Sequence, residues 1–229
     1  MTEHPPGETV VPMPLLKGGT AEDVFSGFAS QLDEDGPIGR RVERATTVIV
    51  AEIRGWESVW DRLGAERAGA VLEGTVDRIL DALERFGADD VAVGGRSTQP
   101  VVTASFVETD HGMRAIAAAG ALAEAARTAY PSRDEGFHTC VGVNTGVVVS
   151  THVNGSGLDF SSSGTTRMFA VRLQEFAGPG QVFISEATYH AVPVPLDVVP
   201  IGPVRTNGDG ETQEAYLLRG LAPPENVRR

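Results

Sequence analysis

Glu52 closes the run "VIVAEIRGW" (residues 48–56), where four apolar residues lead into one carboxylate and then a glycine turn. An acid at the end of a buried strand points to metal binding or catalysis. Few other residues compete for a chemical role. "ETDHG" (108–112) puts Glu, Asp and His close together, but it opens a helical pattern and reads as a cap. Cys140 lies inside an apolar strand and reads as a buried thiol. "VNGSGLDFSSSG" (153–164) carries backbone amides able to cradle a phosphate, yet it has no P-loop lysine and reads as a flexible loop. No Ser-His-Asp or Cys-His signature occurs, and the five histidines are scattered without metal-ligand spacing.

The elements that position these residues follow from periodicity. "ATTVIVAEI" (45–53) is β-branched and predicts a strand. Residues 58–87 predict one helix with an apolar stripe of Val71, Val76, Ile79, Leu80 and Leu83, stopped at Gly87. "DDVAVGG" (89–95) and "VVTASFVE" (101–108) predict a hairpin with a long loop at "RSTQP". Residues 109–130 predict a second helix from a Thr or Asp cap. "HTCVGVNTGVVVSTHV" (138–153) predicts two short strands around a turn at Asn144–Gly146. A third helix (164–180), a strand (181–185), a short helix and a last hairpin with an "NGDG" turn complete the chain. The pattern is α/β (α+β), an antiparallel sheet with helices on one face. Residues 1–43 read as a leader with a possible amphipathic helix at 21–32, residues 44–220 as the domain, and 221–229 as a tail.

Composition sets bounds on function. The net charge of -12 argues against nucleic acid and against an anionic membrane surface as main partners. A single cysteine excludes an intramolecular disulfide and a cysteine-based zinc cluster. No signal peptide or membrane-spanning run appears, so a cytoplasmic home is expected.

"TTVIVAEIRGWESVWDRLG", "VGVNTGVVV" and "MFAVRLQEFAGPGQVFISEATY" occur in an order that resembles the class III adenylate/guanylate cyclase homology domain, over about residues 45–219. The resemblance implies a ferredoxin-like sheet of the cyclase-homology type. It also implies a head-to-tail homodimer and a site where two aspartates hold two divalent ions. On this pattern the first metal aspartate falls on Glu52. The second falls on Gly95 counting forward, or Pro100 counting back, and neither side chain ligates a metal. The base-selecting aspartate falls on Thr165 and the base-selecting lysine at Val91 or a neighbour. The transition-state Asn falls on Met168, and the Arg on Arg172. Ile53, Gly55 and Trp56 would flank Glu52 in a ligand cleft with Thr165 and Arg172.

The expectation is a catalytically impaired cyclase-homology protein, a dimeric nucleotide-sensing or regulatory scaffold without cofactor. Two alternatives stay open. One is an active nucleotide cyclase with an atypical or partner-completed site, using Mg²⁺ or Mn²⁺. The other is a protein-interaction domain whose leader holds the partner.

Overall fold

The computed structural model describes residues 41–107, 109–129, 136–152, 159–161, 164–206 and 212–221. The leader helix expected at 21–32 and the "NGDG" turn lie outside them. Among the described residues thirteen elements follow in order: β1 (Arg41–Arg54), α1 (Trp56–Leu63), α2 (Ala65–Arg85), β2 (Asp90–Arg96), β3 (Gln99–Phe106), α3 (His111–Ala129), β4 (His138–His152), β5 (Asp159–Ser161), α4 (Gly164–Phe176), β6 (Val182–Ser185), α5 (Glu186–Ala191), β7 (Leu196–Arg205) and β8 (Thr212–Leu221). They build one mixed sheet in the order β2-β3-β1-β4-β6-β8-β7, with β5 beside β4. The first four strands stand in the ferredoxin-like order. All pairs are antiparallel except β4 with β6.

β1 reads as a continuous apolar run because both its faces are covered. Ile49, Ala51 and Ile53 enter a core with Leu72, Ile79 and Leu83 of α2 and Ala115, Ala119 and Leu122 of α3. Val48 and Val50 turn to the opposite face and are buried there. On that face α4 covers Cys140 and Phe183 with Phe169, Leu173 and Ala177. Helices therefore lie on both faces, not on one as expected. The reason is the alternation of β4, where Val141 and Val143 serve one core and Cys140 the other.

Further expectations change. The long helix splits at Gly64, whose φ of +75° favours glycine. The expected stripe on α2 is present, but Ala68, Leu72, Thr75 and Ala82 join it as buried members. The β2–β3 loop shrinks to the two residues Ser97 and Thr98, with Arg96 paired to Gln99. The Asn144–Gly146 turn does not form, and β4 runs unbroken through it, paired with β1 from His138 to Thr151. There the Asn144 amide donates to the Thr166 carbonyl of α4 at 2.8 Å. Gly146 leaves room for the Thr166 side chain, which a Cβ would meet at 2.5 Å. Tertiary partners override the local turn signal. Part of the loop expected at 153–164 is also strand, since β5 pairs with the end of β4.

A thread of hydroxyls stitches the sheet to the helices. The Thr47 hydroxyl bonds His111 Nδ1 at 2.7 Å and the Thr145 hydroxyl at 2.8 Å. Thr145 continues to Thr188 at 3.1 Å, and Thr188 to Ser185 at 3.0 Å. Burial, then the Arg114 charge, lowers the His111 pKa from 6.5, and Asp110 opposes them. A folded-state value below the unfolded one means that the unfolded chain binds more protons. The contribution of His111 is therefore present above about 6.5 and is lost as pH falls through the lower folded value. His111→Gln is expected to flatten the loss of stability between neutral and mildly acidic pH, as read by urea midpoints. An unchanged pH slope would remove His111 from that role.

Candidate functional site

Glu52 sits two residues from the end of β1, between Val101 of β3 and Cys140 of β4. Strand alternation turns its side chain to the face that α4 covers. α4 lies close there because Gly142 has no side chain: a Cβ would stand 2.1 Å from the Ala170 carbonyl oxygen. This approach brings Gln174, which is buried, over the strand. Gln174 Nε2 donates to Glu52 Oε2 at 2.7 Å. Arg54 Nε donates to the same oxygen at 2.5 Å. The carboxylate is thus held by one cation and one amide of its own chain.

The hairpin brings no second carboxylate. Val101 is the residue opposite Glu52, and Gly95 pairs with Pro100 just beyond. Gly95 has φ +83°, and a Cβ there would meet the Gln99 carbonyl oxygen at 2.6 Å. A side chain at position 95 would be strained, and Pro100, the other position where a second ligand would fall, carries no ligating group. Asp90 pairs with Ser105, four residues along β3 from Val101, or roughly 13 Å at ~3.3 Å per residue. Asp89 bonds the Val107 amide at 2.8 Å and the Arg114 guanidinium at 3.3 Å. Among the described residues no group of three His, Cys, Asp or Glu stands ready to hold a metal ion. The residues present do not fit a two-ion centre.

α4 presents two sides. Thr166, Ala170 and Gln174 recur at four-residue spacing toward the sheet. Thr165, Met168 and Arg172 fall on the other side of the same helix, with Thr165 exposed and the other two half-buried. Arg172 Nη1 donates to the Glu175 carboxylate at 2.9 Å. Within one chain, then, Arg172 and Glu52 are not brought together.

The residues flanking Glu52 divide similarly. The Ile53 side chain is fully buried in the α2/α3 core, so only its backbone adjoins the site. Gly55 has φ +98°, and a Cβ would stand 2.5 Å from the Gly136 carbonyl oxygen. Trp56 packs on the core, with its ring 6.0 Å from Phe137 and 5.2 Å from Trp60. His138 lies opposite Arg54. Burial lowers its pKa, Gly136 opposes this by a backbone bond, Arg54 lowers it further and Glu52 raises it. Burial raises that of Cys140, consistent with an inert thiol.

The sequence matches the adenylate and guanylate cyclase catalytic domain over residues 40–220. The chain belongs to that family. Solved cyclase structures share the fold. The guanylyl cyclase Cya2 superposes with a TM-score of 0.62 at 21% identity, covering 82% of this chain and 98% of that one. The adenylyl cyclase CyaB from P. aeruginosa gives 0.61 at 16% identity, covering 80% and 100%. The guanylate cyclase domain of RhGC from Catenaria anguillulae, solved in complex with GTP, gives 0.60 at 19%, covering 79% and 100%. No curated protein matches in sequence.

Against this cyclase fold, the residue that sequence reasoning missed is Gln174. It follows the Arg172 position by two and looks like an ordinary polar helix residue. Its one signal was its spacing of four and eight from Ala170 and Thr166, which puts a polar group on an otherwise sheet-facing stripe. Replacing Gln174 by Leu removes one donor from a half-buried carboxylate. The expected cost is about 1–3 kcal/mol, read from a urea titration. Glu52→Gln combined with Gln174→Leu is expected to cost less than the sum of the single changes, because the two share one bond. Strict additivity would show that the contact contributes nothing.

Proposed function

We propose that this chain is a cyclase-homology module without two-metal turnover, which acts as a dimeric nucleotide-sensing or regulatory unit. The observation that carries the reading is the capture of Glu52 by Arg54 and Gln174, beside a hairpin that has Gly95 and Pro100 where a second carboxylate would fall. An arginine that stands where a divalent ion would stand supplies positive charge without polarising a hydroxyl for attack. The cleft keeps the means to bind phosphate charge and loses the means to activate the nucleophile. The outward set Thr165, Met168 and Arg172 belongs, on this reading, to the site of a second copy in a head-to-tail dimer. Solved relatives support a dimer and a nucleotide ligand. One is a non-canonical dimeric guanylyl cyclase domain from Blastocladiella emersonii, and the domain from Catenaria anguillulae holds GTP.

The test is thermal-shift screening with purine and pyrimidine nucleotides, with and without Mg²⁺ or Mn²⁺. A ligand at a hundred times its dissociation constant stabilises the fold by about 2.7 kcal/mol. A metal-independent shift with one nucleotide is the expected result. A shift only with metal would overturn the reading and restore Glu52 as a metal ligand. No shift with any nucleotide would leave a protein-interaction domain.

A further inference from the structure

We propose that the ligand of the Glu52 cleft is a nucleotide with a single phosphate group, and that Glu52 is the residue that shuts out triphosphates. The inference rests on the nucleotide-sensing reading above and names the ligand class for that same site. Both hydrogen bonds to the Glu52 carboxylate, from Arg54 Nε and from Gln174 Nε2, land on Oε2. Among the described residues Oε1 takes no hydrogen bond, and the Arg54 Nη groups make none. The side chains of Arg54 and Glu52 are 29% and 17% exposed, so both reach solvent. A guanidinium with Nε engaged still presents its Nη groups side by side, a fork that grips a phosphate. An ionised carboxylate oxygen accepts hydrogen bonds and donates none. The pair therefore offers donors to a phosphate and an acceptor to a hydroxyl, and a sugar phosphate carries both.

Charge decides how many phosphates can follow. Arg54 and Glu52 cancel. At the same end of the sheet the hairpin adds Arg96, next to Gly95, and the first turn of α1 adds Glu57. His138, opposite Arg54, contributes little, since burial above all holds its pKa down. On the head-to-tail reading a second copy brings Arg172 already bonded to Glu175, and so no net charge. Cations and carboxylates thus balance around the cleft, and the chain as a whole carries a charge of -12. A first phosphate sits on Arg54. Further phosphates would stand in a balanced or negative field close to Glu52, and the residues present do not fit the divalent ions that would neutralise them. Each added negative charge beside a part-exposed carboxylate lowers affinity by about tenfold.

The test is isothermal titration calorimetry of the full chain in EDTA. The probes are adenosine and guanosine, each as linear monophosphate, cyclic monophosphate and triphosphate. A single-phosphate form is expected to bind about tenfold or more tighter than the triphosphate of the same base. Tighter binding of the linear form marks the ligand as a phosphomonoester, and of the cyclic form as a phosphodiester; both uphold the proposal. Glu52→Gln keeps an acceptor of the same shape and removes the charge. It is expected to tighten the triphosphate by about tenfold and to close most of the gap. Arg54→Gln is expected to weaken every form by about tenfold or more. The wild-type comparison stands even where a variant fails to fold. A triphosphate that binds as tightly as the monophosphates overturns the inference and leaves the sensing reading intact. So does a Glu52→Gln protein with the wild-type ratio of affinities. No binding of any nucleotide removes the sensing reading, and the inference with it.

Discussion

Gly142→Val is expected to cost more than about 3 kcal/mol and to bring the protein close to unfolding in plain buffer. The new Cβ would stand 2.1 Å from the Ala170 carbonyl oxygen and 2.5 Å from the Gln174 amide nitrogen. Both atoms are backbone, so no rotamer change relieves the overlap. Overpacking costs about 1–3 kcal/mol where side chains can yield. Here α4 itself must lift, and that exposes Phe169 and Leu173 to water. Gly120→Ala on α3 is the control. Nothing lies within 4 Å of its Cβ position, and a helical alanine should add about 0.4–1 kcal/mol. Far-UV circular dichroism during a urea titration reads both. A wild-type midpoint for Gly142→Val would mean that α4 does not rest on β4 as described.

The second large effect concerns turnover. With ATP or GTP and Mn²⁺, formation of cyclic nucleotide by the purified chain is expected to stay at the buffer blank. Each preorganised group removed from a site of charge development costs about 10²–10³ in rate. On the proposed reading, this chain has Gly95 or Pro100 where the family pattern places the second aspartate, and Met168 where it places an Asn. Two such losses multiply to roughly 10⁴–10⁶. Glu52→Asp is not expected to rescue activity, because Arg54 and Gln174 remain beside it. Glu52→Asp with Gly95→Asp should also fail, since position 95 has φ +83° and meets the Gln99 carbonyl oxygen at 2.6 Å. Product above the blank, measured by chromatography and dependent on Mn²⁺, would refute the loss of the two-metal site.

Much of the fold was legible because its signals are local. The β-branched run of β1, the apolar stripe of α2 and the alanine-rich face of α3 each announce their element. The ordered motifs at Glu52, Gly142 and Arg172 identify the fold class. Two of the misreadings share one cause, the dominance of partners distant in sequence. Asn144–Thr145–Gly146 is a turn by composition, but β1 on one side and Thr166 on the other hold it extended. Helices on both faces follow from the apolar groups that β4 carries on its two sides, and residue types alone do not order those. At the site, the glutamate at position 52 and the absence of a side-chain carboxylate at Gly95 and Pro100 were visible in the sequence. The hold of Gln174 on Glu52 was not, because it spans 122 positions of the chain.

The unbroken course of β4 has a consequence for how the molecule opens. The strand bonds β1 along one side and β6 along the other at Val141–Val143. Its side chains enter the cores on both faces. Freeing those amides to solvent requires both neighbouring strands and both helical layers to part together. Their exchange with deuterium should therefore report the global unfolding free energy. In a single chain the amides of β2, at the rim of the sheet, exchange through small local openings and mark the other end of the scale.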